Sequence, residues 1–164
     1  MILVTVGTQK FPFNRLLKKV DSLIEQGIIT DSVTAQIGYS DYHPLHYSYV
    51  DFMSEEKFDE LIKNSDILLT HGGIGTIIKG LLLKKKVIII PRMKEYKEHV
   101  DNHQIEIGER FSQMEYTLFC KNIEELSDII KDASVRTFRE FHFSWYHVAR
   151  YIQNYLNNLE EDKR

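Results

Sequence analysis

Apolar residues occur along the chain in two patterns, short continuous runs and stripes with helical spacing. The continuous runs predict strands at about residues 1–6, 32–37, 66–70, 86–91 and 116–120. Between the runs, apolar residues recur three and four positions apart, which predicts helices at about 12–26, 55–64, 75–84, 99–111 and 122–132. Strands that alternate with helices indicate βαβ units. We therefore expect an α/β fold with a Rossmann-like, doubly wound, mostly parallel sheet.

The longest apolar stripe lies near the end of the sequence. It predicts a helix at about 136–158, after a core at about 1–133, and its members are Phe138, Phe141, Trp145, Val148, Ile152, Tyr155 and Leu159. The stripe either covers the sheet of its own domain or docks on another surface, in a partner protein or in a second copy of the chain.

Length and composition narrow the class of protein. The 164 residues fit a single domain, at 1–164, and 43% of them are hydrophobic. Lys and Arg number 21 against 24 Asp and Glu, so no basic excess indicates nucleic acid as a partner. Neither a membrane-spanning run nor a signal peptide is evident, and the single cysteine, Cys120, fits a reducing compartment. These features favour a cytoplasmic protein.

A glycine-dense turn follows the predicted strand at 66–70. It reads His71, Gly72, Gly73, Ile74, Gly75 and Thr76, and helical spacing of apolar residues resumes directly after it. A strand that enters a helix through such a turn leaves unpaired N–H groups directed at one point, which favours an anion such as phosphate. The alternative is a tight turn in which the glycines serve steric needs only.

A second turn of this kind follows the N-terminal strand and consists of Gly7, Thr8 and Gln9. Ligands of open parallel sheets bind where the strands end, so the two turns together predict the floor of a nucleotide site. Neither turn is a GxGxxG motif, and neither contains the GK[ST] of a P-loop. A dinucleotide or ATP site is therefore not indicated, and we expect no cofactor.

Polar residues cluster after the predicted strand at 86–91, at the same edge of the sheet. The residues that can bind sugar hydroxyls or phosphate are Arg92, Glu98, His99, Asp101, Asn102, His103 and Gln104. His99 and His103 have a spacing that suits a metal, but HExxH is absent and the sequence shows no third ligand, so we expect no metal. The alternative is a solvated helix start in which acidic residues complement the helix dipole.

Residues 38–51 are rich in tyrosine and histidine and lack a clear period. They predict an irregular loop with a short strand. Alternatively, the aromatic side chains form a contact surface beside the ligand site.

Three blocks of sequence, taken together, resemble the C-terminal, donor-binding half of GT-B glycosyltransferases of the family 28 type. The blocks are 5–9 with 11–13, 70–76, and 91–92 with 98–104, and the resemblance covers about residues 1 to 120. The chain is most similar to the stand-alone PssE-type subunits of bacterial capsular and exopolysaccharide synthesis. Their eukaryotic counterpart is the catalytic subunit of a split UDP-GlcNAc transferase.

The resemblance implies transfer of a hexose (galactose, glucose or GlcNAc) from a UDP-sugar to a lipid-diphosphate-linked acceptor. Turns 7–9 and 72–76 would hold the diphosphate, residues 101–104 would contact the donor sugar, and Arg92 would add positive charge. The catalytic candidates are His71, Glu98 and His99. Neither a metal nor another cofactor is implied, because helix N–H groups can stabilise the departing diphosphate.

Two features depart from the family pattern. Lys79 stands where related full-length enzymes have a glutamate that binds the ribose, and the chain supplies only one of the two GT-B domains. The resemblance therefore implies a membrane-anchored partner subunit that carries the acceptor site, and a peripheral location at the inner face of the cell membrane. The rival interpretation is a non-catalytic nucleotide-sugar-binding or enhancer subunit of such a complex.

Overall fold

A single six-stranded sheet forms the centre of the protein. The computed structural model describes residues 1–142. The strands are β1 (Ile2–Thr5), β2 (Val33–Gln36), β3 (Ser48–Val50), β4 (Ile67–Thr70), β5 (Lys86–Ile89) and β6 (Leu118–Phe119). Their order is β3-β2-β1-β4-β5-β6, and every neighbouring pair is parallel. The predicted Rossmann-like α/β fold is confirmed, and its switch point lies between β1 and β4.

The described residues form five α-helices, of which four lie between successive strands and the last follows β6. They are α1 (Asn14–Glu25), α2 (Glu55–Asn64), α3 (Ile74–Leu82), α4 (His103–Gln113) and α5 (Leu126–Val135). Residues of α1 and α5 belong to one hydrophobic core, whereas residues of α2, α3 and α4 belong to a second. The helices therefore cover both faces of the sheet. Within residues 1–142, no helix combines the length and the apolar character needed to cross a bilayer.

The two cores explain why the central strands are continuous apolar runs. Ile2 and Val4 of β1 pack in the core that contains α1, while Leu3 packs with Ile62 of α2 and Ile77 of α3. Every residue of β1 and of β4 is buried. A strand covered on both faces has no solvent side, so alternation of polar and apolar residues is lost.

Three predicted helix starts are wrong. The helix predicted from residue 122 begins at Leu126, because Ile123–Glu125 form a 3₁₀ turn before it. The helix predicted from residue 99 begins at His103, because residues 99–102 form a turn in which Asp101 Oδ1 accepts a hydrogen bond from the His103 N–H at 3.1 Å. The helix predicted from residue 136 does not begin there, since Arg136 is extended and the segment continues without helix to residue 142. The remainder of that prediction, 143–158, lies outside the described residues.

The extended segment after α5 accounts for the apparent helical spacing of its aromatic residues. Phe138 packs against the core that contains α1 and α5, and Phe141 packs against the other core. The Phe141 ring meets Tyr116 edge-on, with 5.2 Å between the ring centroids. Two side chains that serve opposite faces of a sheet do not share one helix face, so the spacing here is not that of an amphipathic helix.

Candidate functional site

The two glycine turns lie side by side at the carboxyl edge of the sheet. Thr5 at the end of β1 pairs with Thr70 at the end of β4, and one turn follows each strand. A cavity of about 690 Å³ opens between them, a size typical of small-molecule sites. Its lining consists of Thr5, Gly7, Thr8, Gln9, Gln36, Met53, Ser54, Glu55, Phe58, His71, Gly73, Gly75, Thr76 and Lys79.

The imidazole ring of His71 lies between Gly7 and Gly73. A Cβ added to Gly7 would lie 2.5 Å from Cε1 of His71, and one added to Gly73 would overlap the same ring. Gly7 also has a φ of +78°, which favours glycine independently. Steric needs therefore explain these two glycines. They do not explain Gly75, where an added Cβ would meet nothing within 4 Å.

The start of α3 opens into the cavity without a side-chain cap. Gly73 is the N-cap residue and offers no side-chain hydrogen bond, and the first helical bond runs from the Ile77 N–H to the Gly73 carbonyl. In α2, by contrast, the Ser54 hydroxyl accepts a hydrogen bond from the Lys57 N–H. The first N–H groups of α3 are consequently available to an anion, and the helix dipole favours one there.

His71 is neutral at physiological pH. Its burial, together with the nearby positive charge of Arg92 and the proximity of His99, lowers its pKa to about 4, although a hydrogen bond to the backbone of Thr5 opposes the shift. A neutral imidazole donates one hydrogen bond and accepts another. His71 therefore contributes a polar group to the cavity but no charge.

The depressed pKa of His71 makes stability depend on pH. The unfolded chain takes up a proton near the ordinary value of 6.5, whereas the folded protein does so only near 4. Stability is therefore fully present above pH 6.5 and falls as the pH is lowered toward 4. We expect a loss of about 2 kcal/mol between pH 7 and pH 5 that is absent in His71→Asn. Urea unfolding at both pH values measures it, and an unchanged loss in the variant would contradict it.

The N-terminal turn of α2 and one residue of α3 form a charged wall of the cavity. Lys79 forms ion pairs with Asp59 and with Glu55, whose carboxylate lies 3.4 Å from its Nζ atom. The Lys79 ammonium also lies 5.6 Å from the centroid of the Phe58 ring. The hydrogen bond to Asp59 raises the pKa of Lys79, so this lysine is a cation at neutral pH.

This wall was not predicted as part of the site. A sequence signal was nevertheless present, because Ser54 directly before the acidic Glu55 and Glu56 has the pattern of a helix N-cap. A helix that follows a parallel strand begins at the carboxyl edge of the sheet, where the ligand was expected. The strand β3, which precedes α2, has only three residues and all of them are exposed, so its place in the sheet is hard to recognise from sequence.

Arg92 lies behind the cavity and is not part of its lining. Its side chain is 0% exposed, and its guanidinium donates hydrogen bonds to the carbonyl oxygens of Val6, Phe11 (2.8 Å) and Glu98 (3.2 Å). Burial lowers its pKa to about 10, so it keeps its charge at neutral pH. The predicted contact of Arg92 with the diphosphate is not supported by this placement, because its donors hold three backbone segments together.

Glu98 is likewise committed to protein contacts. Its carboxylate accepts hydrogen bonds from Nε and Nη2 of Arg15 at 3.0 and 2.9 Å, and from the Met93 N–H at 3.0 Å. It is buried and does not line the cavity. These contacts give Glu98 a structural role in the loop after β5, and its catalytic role stays a prediction.

The predicted donor-sugar residues surround the start of α4, outside the cavity lining. Gln104 Oε1 accepts hydrogen bonds from the N–H groups of Gly72 at 3.0 Å and Arg92 at 3.1 Å, and so fixes the turn after β4. Asn102 Oδ1 accepts a hydrogen bond from the Lys94 N–H at 2.9 Å. The structure brings the remaining three of the polar cluster together: His99, Asp101 and His103.

Comparison of the sequence with known proteins shows its family. The family model described as "Glycosyltransferase family 28 C-terminal domain" matches residues 1–157. The chain belongs to this family. The domain is also 32% identical over 93 residues to the UDP-N-acetylglucosamine transferase subunit ALG13 of Candida albicans. That match covers 57% of the chain and 28% of the relative, so it spans less than a third of that protein's length.

Solved structures share the fold of this family 28 domain at low sequence identity. An NMR structure of ALG13 has a TM-score of 0.57 at 19% identity, and the match covers 87% of this chain and 89% of that one. The glycosyltransferase of kitacinnamycin has a TM-score of 0.63 at 14% identity, over 82% of this chain and 34% of that chain. A UDP-GlcNAc 2-epimerase from Methanocaldococcus jannaschii, solved with UDP-GlcNAc and UDP, has a TM-score of 0.60 at 14% identity, over 93% and 45%.

Proposed function

We propose that this family 28 domain is the donor-binding, catalytic subunit of a split glycosyltransferase. It would move a hexose from a UDP-sugar to a lipid-diphosphate-linked acceptor in surface polysaccharide synthesis, as the PssE-type subunits do. The observation that carries the proposal is the cavity at the switch point, into which the uncapped start of α3 opens. Family membership and the relative named UDP-N-acetylglucosamine transferase subunit support a UDP-sugar as the donor.

The cavity offers what a diphosphate leaving group needs. The first-turn N–H groups of α3, at Ile74, Gly75 and Thr76, lack intrahelical partners, and Lys79 adds a full positive charge to the lining. As the sugar departs, negative charge builds on the diphosphate. Donors that are already oriented stabilise this charge without reorganisation, so the reaction needs no metal at the phosphates.

The charged wall suits the nucleoside part of the donor. Glu55 places a carboxylate in the lining, and a carboxylate accepts hydrogen bonds from two neighbouring hydroxyls, such as those of ribose. We propose that Glu55 takes this role, since Lys79 occupies the position where the family pattern has its ribose-binding glutamate. In this arrangement the Lys79 ammonium gives up part of its contact with Glu55 and contacts the diphosphate.

The proposed enzyme also needs a second subunit. GT-B enzymes react in a cleft between two domains, and the described residues form one of them. We propose a membrane-anchored partner that carries the acceptor site and holds this domain at the cytoplasmic face of the membrane.

The experiment that tests the function combines binding and transfer. We expect titration calorimetry to show one UDP per chain, and Lys79→Met to weaken binding about tenfold because a charge-assisted hydrogen bond is lost. Lys57→Met, which removes an exposed lysine from α2, serves as the matched control. Transfer from UDP-sugar to a lipid-diphosphate-linked acceptor should require the proposed membrane-anchored partner subunit. Absence of UDP binding contradicts the site, and rapid transfer by the chain alone contradicts the split enzyme.

A further inference from the structure

Three side chains with metal-ligating atoms converge in the turn before α4. Nδ1 of His99 lies 3.1 Å from Oδ1 of Asp101, and Nδ1 of His103 faces the same oxygen. Each of the three residues offers one ligand atom that lies within 4.8 Å of those of the other two. Sequence alone offered only the two histidines, because the ligating role of Asp101 depends on the turn that delays the start of the helix.

The spacing of these atoms fits a tetrahedral metal ion. Metal–nitrogen and metal–oxygen bonds of about 2.0–2.2 Å place neighbouring ligand atoms about 3.3 Å apart. The distance between His99 and Asp101 is already close to this value, and small side-chain rotations bring His103 to it. Two imidazoles and one carboxylate form a ligand set that suits Zn²⁺ and similar ions and is poor for Mg²⁺ or Ca²⁺.

The surroundings hold one ligand firmly and leave the others accessible. His99 is buried, with its ring 5.9 Å from that of Phe11 and 4.9 Å from that of His103. The side chains of Asp101 and His103 are 55% and 49% exposed, so an ion can reach the site from solvent. One buried ligand and two exposed ones allow entry of an ion without rearrangement of the core.

We propose that His99, Asp101 and His103 bind one divalent transition-metal ion of the Zn²⁺ type, with the fourth position open. His103 is the first residue of α4, and the next residue, Gln104, accepts a hydrogen bond from Gly72 beside the cavity. The ion therefore fastens the helix start that supports the turn after β4. It is separate from the phosphates, and the proposal stands whether or not the chain binds UDP.

The competing explanation is a helix cap without metal. Asp101 Oδ1 accepts a hydrogen bond from the His103 N–H at 3.1 Å, and the Asp101 N–H donates one to Nδ1 of His99 at 3.3 Å. Nδ1 of His103 lies within hydrogen-bond distance of the same carboxylate oxygen. Asp101→Asn separates the two explanations. The asparagine keeps an oxygen that caps the helix but loses the charge that a metal ligand requires.

Titration of tag-free, EDTA-treated protein with ZnCl₂ tests the proposal, with visible absorption of Co²⁺ as a second readout of coordination. We expect one ion per chain, an intensified Co²⁺ spectrum, and at least about tenfold weaker binding in Asp101→Asn and in His103→Gln. The control is His43→Gln, which removes an exposed histidine that stacks on Tyr49 and leaves the site intact. Absence of Zn²⁺ binding, or binding that survives both ligand substitutions, would overturn the proposal in favour of the cap.

Discussion

Replacement of Arg92 by methionine is expected to lower the free energy of unfolding by about 3–5 kcal/mol. Arg92 is fully buried, and its guanidinium is the hydrogen-bond donor for the carbonyls of Val6, Phe11 and Glu98. Methionine fills much of the volume but donates no hydrogen bond. Three carbonyls, two of them buried, lose a partner, and the segment that carries the turn after β1 loses its attachment to the loop after β5. Urea unfolding followed by circular dichroism measures the change.

Two further variants make this result interpretable. Arg110→Met makes the same chemical change at an exposed position of α4 and should alter stability by less than about 0.5 kcal/mol. Arg92→Lys keeps the charge but cannot reach three carbonyls in different directions, so it should lie between the wild type and Arg92→Met. If Arg92→Met is as stable as Arg110→Met, Arg92 does not hold these segments together.

A pair of glycine variants on the same helix should separate folding from binding. Gly73→Ala is expected to cost about 2–3 kcal/mol and to abolish UDP binding, because the added methyl overlaps His71 and displaces the turn. Gly75→Ala meets no neighbour, so the fold should be kept or stabilised by up to about 1 kcal/mol. Its methyl nevertheless enters the cavity beside the free N–H groups of α3. We expect UDP binding to weaken at least about tenfold, which corresponds to roughly 1.4 kcal/mol.

Thermal unfolding measures the stability of both variants, and calorimetry measures their affinity for UDP. Stability and binding should fall together in Gly73→Ala, whereas in Gly75→Ala binding should fall and stability should be kept or rise. Unchanged UDP affinity in Gly75→Ala would show that the diphosphate does not lie at the start of α3. The proposed arrangement of the donor would then fail, even if the chain still binds UDP elsewhere.

Much of the fold could be predicted because its signals are local. The bounds predicted for α2, 55–64, coincide with those observed, since a serine cap and acidic residues mark its start. The central strands were recognisable because burial on both faces makes them continuously apolar. The predictions failed where a local pattern had another cause, as with Phe138 and Phe141, whose spacing resembles a helix but serves two cores.

The candidate site also has parts that local sequence predicts and parts that it does not. The two turns were predicted, because glycine after a strand is a local signal, and the structure brings both to one cavity. The positions of Arg92 and Glu98 depend on contacts between distant parts of the sequence, such as that of Glu98 with Arg15, 83 residues away. A polar residue near a ligand-binding edge can either face the ligand or hold the loops. Local sequence does not distinguish the two, since both need the same hydrogen-bonding groups.

The ring of His71 acts as a spacer between the turns after β1 and β4, in contact with the positions of Gly7 and Gly73. Substitutions at these three positions should therefore depend on one another, although 64 to 66 positions separate Gly7 from the other two. A lineage that acquires a smaller residue at position 71 gains space for side chains at both glycines, and a lineage that retains histidine does not. In homologous sequences, replacement of either glycine should thus accompany replacement of the histidine. Along a lineage, the histidine should be replaced first.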